Sequence, residues 1–429
     1  MVPSSSPSQR GGRFSLAWLR RELFASPLDG LLSLALLGLL GTGATVLLRW
    51  AFSQADWAVI RLNSTLFAVG RYPVAQQWRL WLVTTLLAAA AGLGWGLLRA
   101  HPRADRSGQL WPANDRIAAA LLGLLSLWAP WALELSTAVS ARWWALTALL
   151  LLLRWGSGRW GRRLPPPLMR LLPLLLPVLY LLGLGLISGG VALPRVAPTD
   201  WGGLLLTLVE ASFAILLCFP LGVLLALGRR SDLPLLRFGS VAYIEFFRGA
   251  PLITLLFLGQ NILGFLLPGG ANLDRVWRAA WVLTLFAAAY LAEAVRSGLA
   301  AVPTGQVEAA RALGLSYPQT LQRVVLPQAL RVALPAMVGQ FISLLQDTTL
   351  LSLIGLLDLL GVARTVMANP AFLGRNGEVY LTLAVLFWFC CAALGLGSRA
   401  LERRLDPHHH AAAYAASIPP PTALDSSLR

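Results

Sequence analysis

Long apolar runs alternate along this chain with short polar stretches that carry arginine. Ten runs stand out, at about 29–48, 80–98, 116–135, 142–154, 168–188, 203–227, 241–266, 279–300, 331–357 and 379–400. Several reach the roughly 20 residues that a helix needs to cross a bilayer. The pattern predicts an all-α membrane protein with about ten transmembrane helices. The first run is too long for a signal-peptide core and lacks a small-x-small cleavage site, so it reads as a retained span. Pro173 and Pro177 predict a kink or a break in the fifth.

Between the eighth and ninth runs lies a polar, helix-forming island. Thr304 is placed to N-cap a short helix filled by the small residues Ala309, Ala310 and Ala312, and Gly314 to stop it in a left-handed conformation. Ser316 is placed to cap a second helix, with Gln319 completing a capping box, and Pro327 to end it. The expectation is two short helices bent at Gly314 and held at a membrane surface. Their small side chains let another protein approach closely, which points to a docking lever rather than a catalytic site.

Arginine sets the orientation. Arg10, Arg13, Arg20 and Arg21, then Arg99, Arg103 and Arg106, then Arg154, Arg159, Arg162, Arg163 and Arg170 fall in alternate connections. So do Arg229, Arg230 and Arg237, then Arg311 and Arg323, then Arg399, Arg403 and Arg404, while the intervening loops hold far fewer. By the positive-inside rule, both termini and the 301–330 loop are cytoplasmic. The pattern breaks near Val191–Asp200. The expected division is therefore a cytoplasmic segment 1–28, a five-helix membrane extension 29–190, a second five-helix unit 200–404 and a disordered cytoplasmic tail 405–429.

Composition narrows the function. At 429 residues, 57% hydrophobic and 13% charged, the chain is too apolar for a soluble globule. All 35 basic residues are arginine. Without lysine the chain cannot build a standard phosphate-binding P-loop or a Schiff base, so it carries no ATPase site of its own. His101 and His408–His410 lie outside the apolar runs, and Cys218, Cys390 and Cys391 lie inside them without zinc-site spacing. No catalytic residue and no metal site is therefore expected. The net charge of +16 clusters beside the spans, which fits contact with membrane lipid headgroups rather than nucleic acid.

Ionisable groups inside apolar runs are costly and face a bundle interior or a cavity. The candidates are Glu210, Glu245 with Arg248, Glu293 with Arg296, and Asp347. The two Glu–Arg pairs have i,i+3 spacing and can neutralise each other on one helix face, either as structural pairs or as part of a gate. Gly249 and Pro251 predict a bent helix beside the first pair. Gln340, Ser343 and Asp347 step by three or four and, with Thr348 next to Asp347, form one polar stripe on an apolar helix, suited to lining a translocation path or to holding helices together.

Several of these stretches resemble a known family. Glu308-Ala309-Ala310, three residues, Gly314, nine residues, Val324, one residue and Leu326-Pro327 resemble the cytoplasmic EAA loop of type I ABC importer permeases, with valine for isoleucine at 324. The run Glu245-Phe246-Phe247-Arg248-Gly249-Ala250-Pro251-Leu252 resembles the amino acid branch, and so does Gly202 to Leu208. The long N-terminal extension is similar to that of the long permease subunit of polar and general L-amino acid importers. The family commonly has lysine where Gln346 precedes Asp347 and Thr348 here. The resemblance implies a subunit that binds no cofactor itself and couples through Glu308, Ala309, Ala310, Gly314, Leu326 and Pro327 to a separate ATPase holding ATP and Mg. It also implies a second related permease, an external substrate-binding protein and a place in a bacterial inner membrane. The alternative is an ion-coupled secondary transporter, which would call for repeated halves around a midplane site. No such repeat is evident.

Overall fold

The computed structural model describes residues 24, 26–100, 113–132, 134–161, 166–190, 193–266 and 273–405. Most of segment 1–28, His101, the tail and its His408–His410 cluster lie outside the described residues. The described residues form helices, with two isolated bridges and no strand among them. They divide into two compact units at Trp57/Ala58.

The first unit holds α1 (Pro27–Ser53). Ser26 caps it, its hydroxyl accepting from the Asp29 N–H at 3.1 Å, and Pro27 opens it where no N–H is needed. Leucines project on every side and none of its apolar window is buried, as expected of a helix solvated by lipid.

The second unit opens with two short helices, α2 (Ala58–Leu62) and α3 (Ser64–Val69). Four long helices follow: α4 (Gln77–Ala100), α5 (Ala113–Ala132), α6 (Thr137–Trp160) and α7 (Pro166–Ser188). Glycines let α4 lie directly on α6. A Cβ on Gly96 would stand 1.9 Å from Ser157 Oγ, and one on Gly92 would stand 2.5 Å from the Leu150 carbonyl oxygen. A fully buried ion pair of Arg154 with Asp115 ties α6 to α5. Helix α7 runs on through Pro173 and Pro177, so of the expected kink or break the helical backbone excludes the break.

Helix α8 (Gly203–Arg229) starts a second set with α9 (Pro234–Gly249), α10 (Leu252–Leu266) and α11 (Arg275–Ala300). Next come α12 (Thr304–Ala312), α13 (Tyr317–Thr320), α14 (Leu326–Asp347), α15 (Leu359–Met367) and α16 (Asn376–Leu405). Helix α11 is the centre of this set, with 67% of its apolar window buried. Its inner face is built from alanine (Ala279, Ala280, Ala287, Ala288, Ala289, Ala292), so neighbouring backbones come close. A Cβ on Gly222 of α8 would stand 2.9 Å from Leu291 Cβ. One on Gly298 would stand 2.3 Å from the Ala329 carbonyl oxygen of α14.

Backbone contacts stitch the two sets together at one end. Gly70 bridges Trp201 and Arg79 donates to the Pro194 carbonyl at 2.9 Å, while within the first set Tyr72 Oη donates to the Ile187 carbonyl at 2.8 Å. Gly203, at φ +58°, lies where a Cβ would meet the Phe67 carbonyl oxygen at 2.2 Å, so only glycine fits. The 191–200 break in the apolar pattern is thus a seam inside one compact unit.

Each of the ten apolar runs falls on helix. By length and apolarity six of those helices can cross a membrane alone. Helices α9 and α10 make a seventh span if their 108° bend at Ala250–Pro251 interrupts one crossing. That bend is the one Gly249 and Pro251 predict.

Candidate functional site

The end of the unit opposite the Gly70–Trp201 seam carries the polar island. Helix α12 begins at Thr304 itself, after a Pro303 cap in extended conformation, so Thr304 is the first helical residue and not the N-cap. The fixed φ at Pro303 holds the chain extended up to the first turn, but supplies no acceptor for its free N–H groups. The close of the helix is as the sequence predicts. Gly314 takes φ +76°, its N–H donates to the Arg311 carbonyl at 2.9 Å and that of Leu315 to the Ala310 carbonyl at 3.1 Å, the paired bonds of a Schellman motif. The Ser316 N–H then donates to Gln319 Oε1 at 3.0 Å, one arm of the expected capping box.

Past α13 the chain departs from expectation. Pro327 does not end the second helix. Residues Leu321–Val325 form a π-helical turn that carries the backbone into α14, where Pro327 occupies a first-turn position. Proline has no N–H to give the preceding turn, and widening that turn lets the helical path continue past it. Gln328 braces the junction, donating to the Val324 carbonyl at 2.9 Å and to Gln306 Oε1 at 3.5 Å. Residues 317–354 therefore form one continuous element from the surface island into the membrane.

The island has two faces. Ala310 and Thr320 are buried underneath, while Glu308, Ala309 and Gly314 are exposed. Leu313 and Tyr317 stand 81% and 69% exposed, more than their apolar surface warrants in water.

Beside the island lies a cluster of charge. Glu293 of α11 accepts from Arg229 at 2.7 Å and from Arg296 at 2.9 Å, and lies 3.8 Å from Arg248. Arg248 also sits over the Tyr290 ring, 5.5 Å from its centroid. One carboxylate thus gathers arginines from α8, α9 and α11. The expected Glu293–Arg296 pair is present. The expected Glu245–Arg248 pair is not: Glu245 is turned to Arg229 at 3.3 Å, and Arg248 leans to Glu293 instead. The less exposed carboxylate offers the stronger field, so it draws the extra cation. Arg229 is the member that pattern reading missed. Its place in the last turn of the first core span, next to Arg230, marked it only as a positive-inside residue.

Higher on α14 the polar stripe is partly as expected. Ser343 is exposed, and Gln340 and Asp347 are half-buried. Asp347 has no side-chain hydrogen bond or ion pair among the described residues. Thr348 does not belong to the stripe. It follows Asp347 by one residue, about 100° round the helix, and is fully buried where the backbone enters a 3₁₀ helix at Thr348–Ile354, its hydroxyl donating to the Leu345 carbonyl at 2.6 Å. Glu210 of α8 is also fully buried, and neither of its oxygens has a hydrogen-bond partner among the described residues.

At the far end Asp358 caps α15, accepting from the N–H groups of Gly361 at 3.0 Å and Leu360 at 3.1 Å. Burial outweighs those bonds and pushes its carboxyl up to about 7.

A binding-protein-dependent transport system inner membrane component matches residues 218–407, which hold the loop, the charge cluster and the stripe. Relatives extend the likeness to nearly the whole chain. The glutamate/glutamine/aspartate/asparagine transport system permease protein BztC of Rhodobacter capsulatus is 36% identical over 95% of this chain and 97% of its own. This chain belongs to the amino-acid ABC transporter permeases. The inner membrane amino-acid ABC transporter permease protein YhdY of Escherichia coli is 33% identical over 93% of this chain and 95% of its own. The probable glutamine ABC transporter permease protein GlnP of Bacillus subtilis is 38% identical over only 48% of this chain but 92% of its own. BztC and YhdY thus share the long form of this permease, and GlnP spans about half of it. Membership makes the chain a multi-pass transport subunit of the membrane and implies an ATPase partner.

Proposed function

We propose that this permease carries amino acids inward, with acidic and amide side chains as the substrate class. Its long-form relative BztC, a glutamate/glutamine/aspartate/asparagine transport system permease protein, supports that class. The observation that carries the coupling mechanism is the unbroken path from the exposed island through the π-turn into α14. A separate ATPase closing around ATP and Mg would move a groove holding Glu308, Ala309, Ala310 and Gly314. Leu326 and Pro327 at the start of α14 would pass that displacement on as a tilt of the span. Glu293 with Arg296, Arg248 and Arg229 couples the same motion to α8 and α9, beside Glu245, so the helices move together. Tilting α14 swings Gln340, Ser343 and Asp347 across the translocation path, while Thr348 anchors its far end.

The chain itself binds no cofactor and catalyses no reaction in this reading. A second related permease completes the pore, and an external binding protein delivers the substrate. Both termini lie in the cytoplasm of a bacterium, residues 29–190 form an extension, and residues 200–404 form the core with the loop at 301–327.

The test is uptake of glutamate, glutamine, aspartate and asparagine into proteoliposomes containing the assembled complex. Uptake should need ATP and the ATPase. Asp347→Asn should change the ranking of the four substrates with complex yield unchanged. Uptake by this chain alone under an ion gradient would instead favour a secondary transporter.

A further inference from the structure

A cleft of about 530 Å³ opens between α2, α5 and α6, lined by Leu127, Pro130, Leu135 and Trp144 with Arg61 and Glu134 at its polar edge. It sits at the end of the unit opposite the coupling island. Helix α8 fixes this: its first residue, Gly203, packs on Phe67 of α3, and its last, Arg229, reaches Glu293 beside the island. The membrane-spanning α8, 27 residues and about 40 Å long at 1.5 Å per residue, exceeds the roughly 30 Å hydrocarbon core, so its Gly203 end lies at headgroup depth. The close of the 20-residue α5 lies at that same end of the unit. Trp128 and Leu127 on the same helix are 60% and 63% exposed, which is surface for lipid rather than water.

The charged groups at this edge are paired but open. Arg61 and Glu134 form an ion pair whose side chains remain 34% and 66% exposed, so each keeps hydrogen-bonding capacity for a further partner. Glu134 takes φ +47°, the only positive φ at a non-glycine residue among the described residues. Such a conformation is costly and persists where surrounding structure enforces it. One wall of the cleft is fixed: Trp144 Nε1 donates to the Ser126 carbonyl at 2.9 Å, and the Thr147 hydroxyl donates to Ser126 Oγ at 2.9 Å.

We propose that this cleft binds a membrane aminophospholipid. Its phosphate would lie on Arg61, its primary ammonium would donate to Glu134, and its glycerol and upper acyl carbons would lie on Leu127, Pro130, Leu135 and Trp144. The combination selects the headgroup. A phosphatidylglycerol head satisfies Arg61 but offers no cation to Glu134. A phosphatidylcholine head carries a cation without an N–H to donate.

The test is native mass spectrometry of the full-length chain, delipidated in detergent and titrated with phosphatidylethanolamine, phosphatidylglycerol or phosphatidylcholine of matched acyl chains. The wild type should bind phosphatidylethanolamine about tenfold more tightly than either other lipid, the difference one charge-assisted hydrogen bond provides. Glu134→Gln should erase that preference while leaving phosphatidylglycerol binding no weaker, because Arg61 loses a competing carboxylate. Equal affinity of the wild type for all three lipids would overturn the proposal without reference to any variant. Displacement of phosphatidylethanolamine by free glycine would overturn it too, assigning the cleft to soluble zwitterions.

Discussion

Glu293 does more than its spacing suggests. It is 18% exposed and faces three guanidinium groups, whereas Glu245 is 59% exposed and faces one. Removing a half-buried carboxylate leaves its cations uncompensated, while an exposed pair is screened by solvent. Glu293→Gln should lower the stability of the purified chain by roughly 1–2 kcal/mol, and Glu245→Gln by less than about 0.5 kcal/mol, in a thermal-shift measurement in detergent. Equal effects would mean that the arginines are held by packing alone.

Asp358 carries a pH dependence with a definite sign. In the fold its carboxyl releases its proton near 7, because burial disfavours the charge, and in the unfolded chain near the ordinary value of about 4. Between those values the unfolded state holds fewer protons. Stability from this residue is therefore complete below pH about 4, declines as pH rises to about 7 and is level above. Asp358→Asn, which keeps an N-cap acceptor, should flatten that decline in melting temperatures taken from pH 5 to 8. An unchanged slope would assign the pH dependence to other groups.

The coupling island shows which parts of an element are legible in a sequence. Gly314 was readable because a helix stop before a capping serine leaves few residue types able to take φ > 0. Pro327 was misleading because proline marks the start of a helix as readily as the end of one, and a π-turn before it has no sequence signature. The Glu245–Arg248 pairing failed for a different reason: i,i+3 spacing shows what one helix can pair, not what α8 brings from another. Thr348 dropped out of its stripe because one residue past Asp347 is about 100° round the helix, a different face.

Open space surrounds Gly314, so a new side chain meets no atom within 4 Å in this chain and its cost is conformational. Asparagine, which tolerates the left-handed region, should be nearly neutral there. Alanine should cost about 1 kcal/mol. In the assembled complex Gly314→Asp should leave membrane insertion intact yet uncouple uptake from ATP hydrolysis. Normal ATP-dependent uptake by that variant would remove Gly314 from the contact with the ATPase.

At the scale of the molecule, an alanine-rich central helix lets α8 and α14 approach closely, and a single carboxylate cluster binds the ends of α8, α9 and α11 beside the exposed island. In the proposed mechanism, motion applied to the island then has few ways to dissipate before it reaches the translocation path. The apolar periodicity made the helical membrane fold readable, and the island's residue spacing made the family readable. How residues 58–190 lock onto the rest was not, because Gly70, Arg79 and Gly203 act through contacts to backbone distant in sequence.

The most direct test breaks the path without touching either end of it. Two glycines inserted between Thr320 and Leu321 should leave the complex assembled and hydrolysing ATP, and should abolish amino-acid uptake into proteoliposomes. Undiminished uptake by that variant would contradict the account, since force would then reach the pore by a route other than the continuous helix.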